Sequence, residues 1–233
     1  VIAPDMRGLG DSSRPLDGYD KQTVAGDIWR LVQDTLGHES FMLVGHDWGG
    51  PVAYALAGAH PDAVKKLVIL DVVVPGCGGD FSQGGRRWHH QFHMTPDLPE
   101  ALVAGREADY LDWFYSTFCY RPDAIGPDDL AEFLRTYTKP GALRAGFAYY
   151  RAILEDIAAN EKTIAASKLP MPVLALGGGV SYPHGRGRGT EPEESLKRVA
   201  TNVTGGVIQD CGHFIPEEAP DALNERLLAF FNS

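Results

Sequence analysis

The sequence predicts an α/β fold, with a mostly parallel sheet flanked by helices and interrupted by a helical cap insertion. Three observations carry that expectation. Strand-like and helix-like segments alternate at both ends of the chain. The apolar runs SFMLV (40–44) and KKLVILD (65–71) are nearly continuous, as parallel strands covered on both faces require. Residues 45–50, GHDWGG, join the first of these runs to a helix-like stretch of small residues.

In chain order, VIAP (1–4) reads as a short buried strand and DMRGLGDSSRP (5–15) as a loop. Val24, Ile28, Leu31, Val32 and Leu36 recur at near-helical spacing, which predicts a helix over 23–36 closed by Gly37. A strand over 40–44, a helix over 49–58 and a strand over 64–70 follow, the last ending at Asp71. The stretch VVPGCGGDFSQGG is rich in turn residues. It leads into an aromatic-rich region, roughly 86–165, made of helix-like pieces such as RRWHHQF, YLDWFYSTF and AGFAYYRAI. Strand character returns at 171–178, followed by a helix over 193–200, a strand over 205–210 and a closing helix over 220–231. The expected organisation is a core of residues 1–79 and 167–233, with a helical cap over 80–166.

Composition narrows the function. The 233 residues are 44% hydrophobic and 22% charged, enough for a substantial core. A net charge of −10 disfavours nucleic acid and anionic membranes as partners. No run of 18 apolar residues is present, and no signal peptide is visible. Three cysteines, Cys77, Cys119 and Cys211, make no disulfide framework and have no metal spacing. They fit a reducing compartment, so a cytoplasmic location is expected.

The segment around Asp47 has the pattern of a nucleophile elbow, in which a reactive side chain sits on a strained turn between strand and helix. Gly45, Gly49 and Gly50 are expected to let backbones pass closely there. The following helix would aim its amides at the reacting centre, with the Trp48 N–H as an oxyanion donor. A carboxylate in this position can displace at saturated carbon and form an ester that water then hydrolyses. Asp commonly caps helices, but the strand before it and the glycines around it favour the elbow.

DMRGLGDSS, GHDWGG, LDVVVPG and CGHFIPEEAP resemble, in order and spacing, the epoxide hydrolase and haloalkane dehalogenase branch of the α/β-hydrolase fold. The resemblance runs through almost the whole chain and is strongest to epoxide hydrolases. It implies Asp47 as nucleophile and His213 as the base that activates water, a task suited to a group titrating near neutrality. The loop 177–190, where many α/β-hydrolases carry the triad acid, has no Asp or Glu. Asp71 lies 24 residues beyond Asp47, at the other position the family uses, and becomes the expected acid. Asp210 is too near His213 in sequence to reach around its ring. His38 reads as a surface residue, and His46 either shapes the pocket or is simply packed.

The electrophile has to be chosen by the cap. Epoxide hydrolases of this branch donate to the opening ring oxygen from cap tyrosines, one of them in an aromatic-Tyr-Arg segment. FAYYRAI matches it, and Tyr150 rather than Tyr149 is the expected donor. Where the pattern has its first tyrosine, this chain has Trp88 followed by His89 and His90. The resemblance places all three at the substrate, with His89 as second donor. Related fluoroacetate dehalogenases clamp a carboxylate with arginines just after the nucleophile. Trp48 and Pro51 stand there instead, which argues against a small haloacid. The expected reaction is hydrolysis of a small apolar epoxide by water to a vicinal diol, with no cofactor or metal. Haloalkane or haloacid dehalogenation by the same aspartate is the alternative, and a homodimer is compatible with either.

The family's other oxyanion donor lies in an HGxP segment before the VIAPD strand, and this chain starts beyond it without a methionine. About 50 or more upstream residues are therefore expected in the natural protein, completing the sheet edge. If they do not exist, the resemblance implies an impaired hydrolase fold used for binding.

Overall fold

The computed structural model describes residues 1–78 and 87–233. Its centre is a parallel sheet whose strands lie in chain order: β1 (Phe41–His46), β2 (Val64–Leu70), β3 (Leu169–Gly178) and β4 (Ala200–Ile208). Helices α1 (Lys21–Trp29) and α2 (Gly49–Ala59) flank β1 in sequence. Between β2 and β3 the described residues form only helices: α3 (Trp88–Met94), α4 (Leu98–Val103), α5 (Glu107–Phe118), α6 (Pro127–Tyr137), α7 (Ala142–Arg151) and α8 (Ile153–Ala166). The chain ends with α9 (Glu191–Val199) before β4, then the short α10 (Ile215–Glu218) and α11 (Pro220–Asn232).

The period-two geometry of strands sorts the core onto two faces. Leu67, Ile69, Val173 and Ala175 point to one side and pack with Ala53, Tyr54 and Ala57 of α2 and Leu196 and Val199 of α9. Val68, Leu70, Leu174 and Leu176 point to the other, against Ile215 of α10 and Leu223 of α11. Each fully buried Leu, Ile or Val here contributes about 1.5–3 kcal/mol. The C-terminal ends of β1, β2 and β4, where the chemistry-bearing residues sit, therefore project from a rigid platform.

Several segments depart from the sequence expectation. Residues 1–4 are exposed and belong to no strand, because no described strand lies beside them to pair with. The edge strand β1 is not buried on both faces: Met42 and Val44 are exposed, since the α10–α11 side of the core reaches β2, β3 and β4 but not β1. The expected helix 23–36 begins earlier, at Lys21, where the Asp20 carboxylate accepts from the Thr23 N–H at 2.9 Å. It changes to a π-helix over Arg30–Thr35, in which the Leu36 N–H reaches back five residues to the Leu31 carbonyl. Gly37, with φ 72°, closes it. β4 starts at Ala200, because its ladder with β3 already pairs Ala200 with Leu169.

Candidate active site

Asp47 leaves β1 with φ 47°, a left-handed conformation that costs a non-glycine residue energy and turns its side chain out of the sheet. The close approach falls on two glycines. A Cβ on Gly45 would stand 2.2 Å from the Gly49 carbonyl oxygen, and one on Gly50 would stand 2.4 Å from Val72 Cγ1. Gly49 itself is not required, as a Cβ there would meet open space. The Asp47 carboxylate is not an N-cap. Among the described residues its Oδ1 accepts only from the adjacent Trp48 N–H, at 2.7 Å, whereas a cap would accept from an amide of the first helical turn.

The other Asp47 oxygen, Oδ2, lies 3.0 Å from His213 Nε2. On the far side of the ring, His213 Nδ1 lies 2.7 Å from Asp71 Oδ2. Asp71 is fully buried and also left-handed, with φ 49°. Its second oxygen accepts the N–H groups of Gly178 and Arg188, each at 2.8 Å. The loop without acids thus serves the acid on β2 through its backbone amides. Asp210 is exposed in a turn and does not meet the ring, and His38 is exposed. His46 donates from Nε2 to the His213 carbonyl at 2.8 Å, so it supports the His213 loop.

Two further contacts hold that loop. The His213 N–H donates to the Phe118 carbonyl at 3.0 Å. The buried carboxylate of Glu218 accepts from Gly212 and Phe214 on one side and from Tyr120 and Arg121 on the other. Burial disfavours charge on both Asp47 and His213, but their hydrogen bond and mutual attraction outweigh it. Asp47 is held well below the usual carboxylate range, and His213, bonded also to Asp71, is pushed up to about 10. The resting pair is a carboxylate and an imidazolium.

Facing this triad is a wall built by α3 and α7. His89 and His93 are four residues apart on one side of α3, and both are buried. Burial lowers His89 to about 2, His90 to about 4 and His93 to about 3, so all three stay neutral at pH 7. His89 Nδ1 and His93 Nδ1 are buried without a hydrogen-bond partner among the described residues, while His93 Nε2 bonds the Tyr110 hydroxyl. Tyr150 of α7 sits edge-on to Trp48, with ring centroids 4.8 Å apart, and 5.2 Å from the His90 ring. Burial and the Asp47 charge raise its phenol well above 10, keeping it a proton donor. Tyr149 turns the other way and donates to the Arg7 carbonyl at 2.9 Å.

Trp88 does not line the site. One residue of helix rotates it about 100° from His89, and it is 43% exposed against Trp113 and Phe114. Trp48 does line it, with its indole N–H buried and without a partner among the described residues. Behind Trp48 lies the buried Lys21 ammonium, 4.2 Å from the ring and 2.7 Å from Asp156 of α8. Among the described residues, no group of three His, Cys, Asp or Glu is arranged to hold a metal.

Asp47, Trp48, His89, Phe118, Tyr150 and His213 together floor a chamber with two lobes. The larger, about 180 Å³, is walled by Tyr110, Phe114, Tyr137 and Phe147. The smaller, about 40 Å³, is bordered by Arg87, Arg186 and Arg188. Sequence reasoning missed His93 and the arginines. The four-residue spacing from His89 signals His93; Arg87 directly precedes the Trp88-His89-His90 segment, and the loop 177–190 carries Arg186 and Arg188 in GRGRG, a stretch read only for acids.

A family model described as alpha/beta hydrolase fold matches residues 1–141. The soluble epoxide hydrolase of Corynebacterium sp. (strain C12) is 38% identical over 239 residues, covering 99% of this chain and 80% of that protein. The crystal structure of wild-type Cfl2 from Burkholderia cenocepacia superposes with a TM-score of 0.89 at 43% identity, covering 98% of this chain and 78% of that one. The epoxide hydrolase CorEH without ligand gives a TM-score of 0.90 at 38% identity, covering all of this chain and 81% of that one.

Proposed function

The chain belongs to the α/β-hydrolase fold family, and from that premise we propose that it hydrolyses epoxides to vicinal diols through a covalent ester on Asp47. The observation that carries the reading is the Asp47 carboxylate, held at the elbow between the Trp48 N–H and His213, with His213 backed by Asp71. The likeness to the Corynebacterium epoxide hydrolase supports the choice of substrate.

The substrate's ring carbon approaches Asp47, and the carboxylate displaces the ring oxygen from behind. Tyr150 donates to that oxygen as it opens, with His89 as second donor from the same wall of the cap. Esterification removes the charge on Asp47. His213 then loses one of the two anions that hold its proton, and its proton affinity falls toward the range of a useful base. His213 passes its proton through solvent to Tyr150, whose own proton stayed on the opened ring oxygen. The neutral imidazole, oriented by Asp71, then takes a proton from water as that water attacks the ester carbonyl. The oxyanion develops on an Asp47 oxygen, the atom type to which the Trp48 N–H already donates. The tetrahedral intermediate collapses by breaking the bond to the alkoxide, which takes the proton back from His213 and leaves as the diol, restoring the Asp47 carboxylate. Within the expected cap, residues 87–166 supply the donors and the apolar wall; the expected boundary at 79–80 lies outside the described residues.

One feature favours a second reading. The buried indole N–H of Trp48, unpartnered among the described residues, is suited to a departing halide, so the same aspartate could dehalogenate. The deciding experiment uses His213→Gln, which leaves alkylation possible and blocks water activation. Incubated with styrene oxide, this variant should gain the mass of the epoxide, mapping to Asp47. Incubation with matched chloroalkanes should leave its mass unchanged. A wild-type protein that turns over epoxide without ever carrying an adduct on Asp47, even under rapid quench, would overturn the mechanism.

A further inference from the structure

The two lobes of the chamber differ in chemistry although they share the reacting residues. The aromatic lobe, at about 180 Å³, has room for a hydrocarbon group. The other holds only about 40 Å³, a few times what one water needs, so a small polar group fits and a chain does not. Three guanidinium-bearing residues border this small lobe, Arg87, Arg186 and Arg188, on a protein with net charge −10. Their clustering is local and opposite in sign to the whole molecule, so it bears on the lobe's contents rather than on solubility.

The placement is built. Arg186 lies on the Phe118 ring, 4.5 Å from its centroid, and its N–H donates to the Phe118 carbonyl at 3.1 Å. Arg188 is 4% exposed; its side chain pairs with Glu191 and its N–H with Asp71. A guanidinium has five N–H donors in a planar fork, so such a partner leaves it able to share a carboxylate. Asp47 and His213 also border the lobe but are already neutralised by each other.

We propose that this lobe binds a carboxylate of the substrate, which would make the substrate an epoxide with a carboxylate a few bonds from the ring on one side and an apolar group on the other. The spacing is short because both lobes open on Asp47. The assignment rests on the reading of the protein as an epoxide hydrolase, which it extends to a substrate class. It also supplies the acid recognition that Trp48 and Pro51 leave out: the arginines come from the loop after β3 and the start of α3, not from the turn after the nucleophile.

The test compares full-length wild type, Arg186→Gln and Arg186→Lys, each checked for native circular dichroism. Diol formation is measured on 3-phenylglycidate and on its neutral counterpart 3-phenylglycidol. Wild type should prefer the carboxylate by about tenfold or more in kcat/KM, and R186Q should cut that ratio about tenfold, chiefly through KM. R186K should restore part of it. Calorimetric binding of cinnamate, which needs no turnover, should weaken in R186Q in the same proportion. A wild type that shows no preference for the acid, or a ratio unchanged in both R186Q and R87Q, overturns the proposal while diol formation preserves the epoxide reading. Absence of cinnamate binding at millimolar concentration overturns it even if neither epoxide is hydrolysed, an outcome that would separately sink the epoxide reading.

Discussion

The two walls of the chamber solve opposite electrostatic problems. On the core wall, Asp47, Asp71 and His213 are charged, and each charge is already matched by a partner or a backbone amide. On the cap wall, Tyr150 and the α3 histidines are neutral, and ring nitrogens of His89 and His93 are buried with no partner among the described residues. Charges left unmatched in a dry cavity would cost several kcal/mol each, so the core completes its ion pair in the resting state. Neutral donors cost less to leave waiting. In the proposed reaction this difference decides where incoming charge is met: the neutral wall takes the oxygen that becomes negative.

The comparison breaks most sharply at Asp71. Asp71→Asn should slow ester hydrolysis by up to about 10⁴-fold and ester formation far less, because only the first needs His213 as a base in the correct tautomer. Single-turnover kinetics with rapid quench separate the steps; equal rates for both in a folded variant would assign the orienting role to another acid. On the cap wall, Tyr150→Phe should slow ester formation by about 10²–10⁴-fold on epoxides, with His89 covering part of the loss. Diol formation and halide release measured side by side on wild type and Y150F decide the electrophile. Fast halide release without diol would give the protein to the dehalogenases.

Acid sharpens the contrast with a smaller effect. In the unfolded chain, histidines bind protons below about pH 6.5, whereas His89 and His93 in the fold do not until about 2 and about 3. At these two histidines the unfolded state therefore binds more protons, and their contribution to stability is complete above pH 6.5 and falls as the pH drops below it. At pH 5 each of the two should cost about 2 kcal/mol. His213, raised rather than lowered, does not offset this: its contribution is already full below pH 6.5 and fades only as the pH rises toward 10. Urea unfolding at pH 6.5, 5.7 and 5, below the window in which His213 adds a slope of opposite sign, reads the effect, and His93→Gln should reduce it. A flat profile would mean that the cap wall takes up protons.

What could be read from the residues follows the same division. β2 runs over Val64–Leu70 as expected, because the apolar run LVIL, preceded by Val64 and bounded by turns, is too short for a helix. The turn at Asp47 was legible from its glycines and the strand before it; the meeting of Asp47, Asp71 and His213 was legible only through the family resemblance, which implies an acid at this strand end and a histidine after the last strand. The cap was legible as helices, but not in which residues it turns inward. Trp88 was expected at the substrate and faces Trp113 instead, a matter of helix rotation that aromatic packing settles. Gly49 was expected in a close contact that falls on Gly45 and Gly50. VIAP was read as a strand from its composition, yet a strand needs a neighbour. Arg186 and Arg188 stand in a glycine-rich loop with no periodicity, so only its path in space reveals that they reach the chamber.

The Glu218 carboxylate gathers amides from the His213 loop and from the chain just after α5. Lys21, at the other end of the molecule's seam, ties α1 to α8 through Asp156. Each stitch is buried, so opening either exposes a charge or several amides at once. Helices between β2 and β3 are thus not a separately melting unit resting on a sheet. Heating is therefore expected to release both halves in one cooperative transition, with His213 losing its position only when the whole molecule does; coincident near- and far-ultraviolet circular dichroism melts check it.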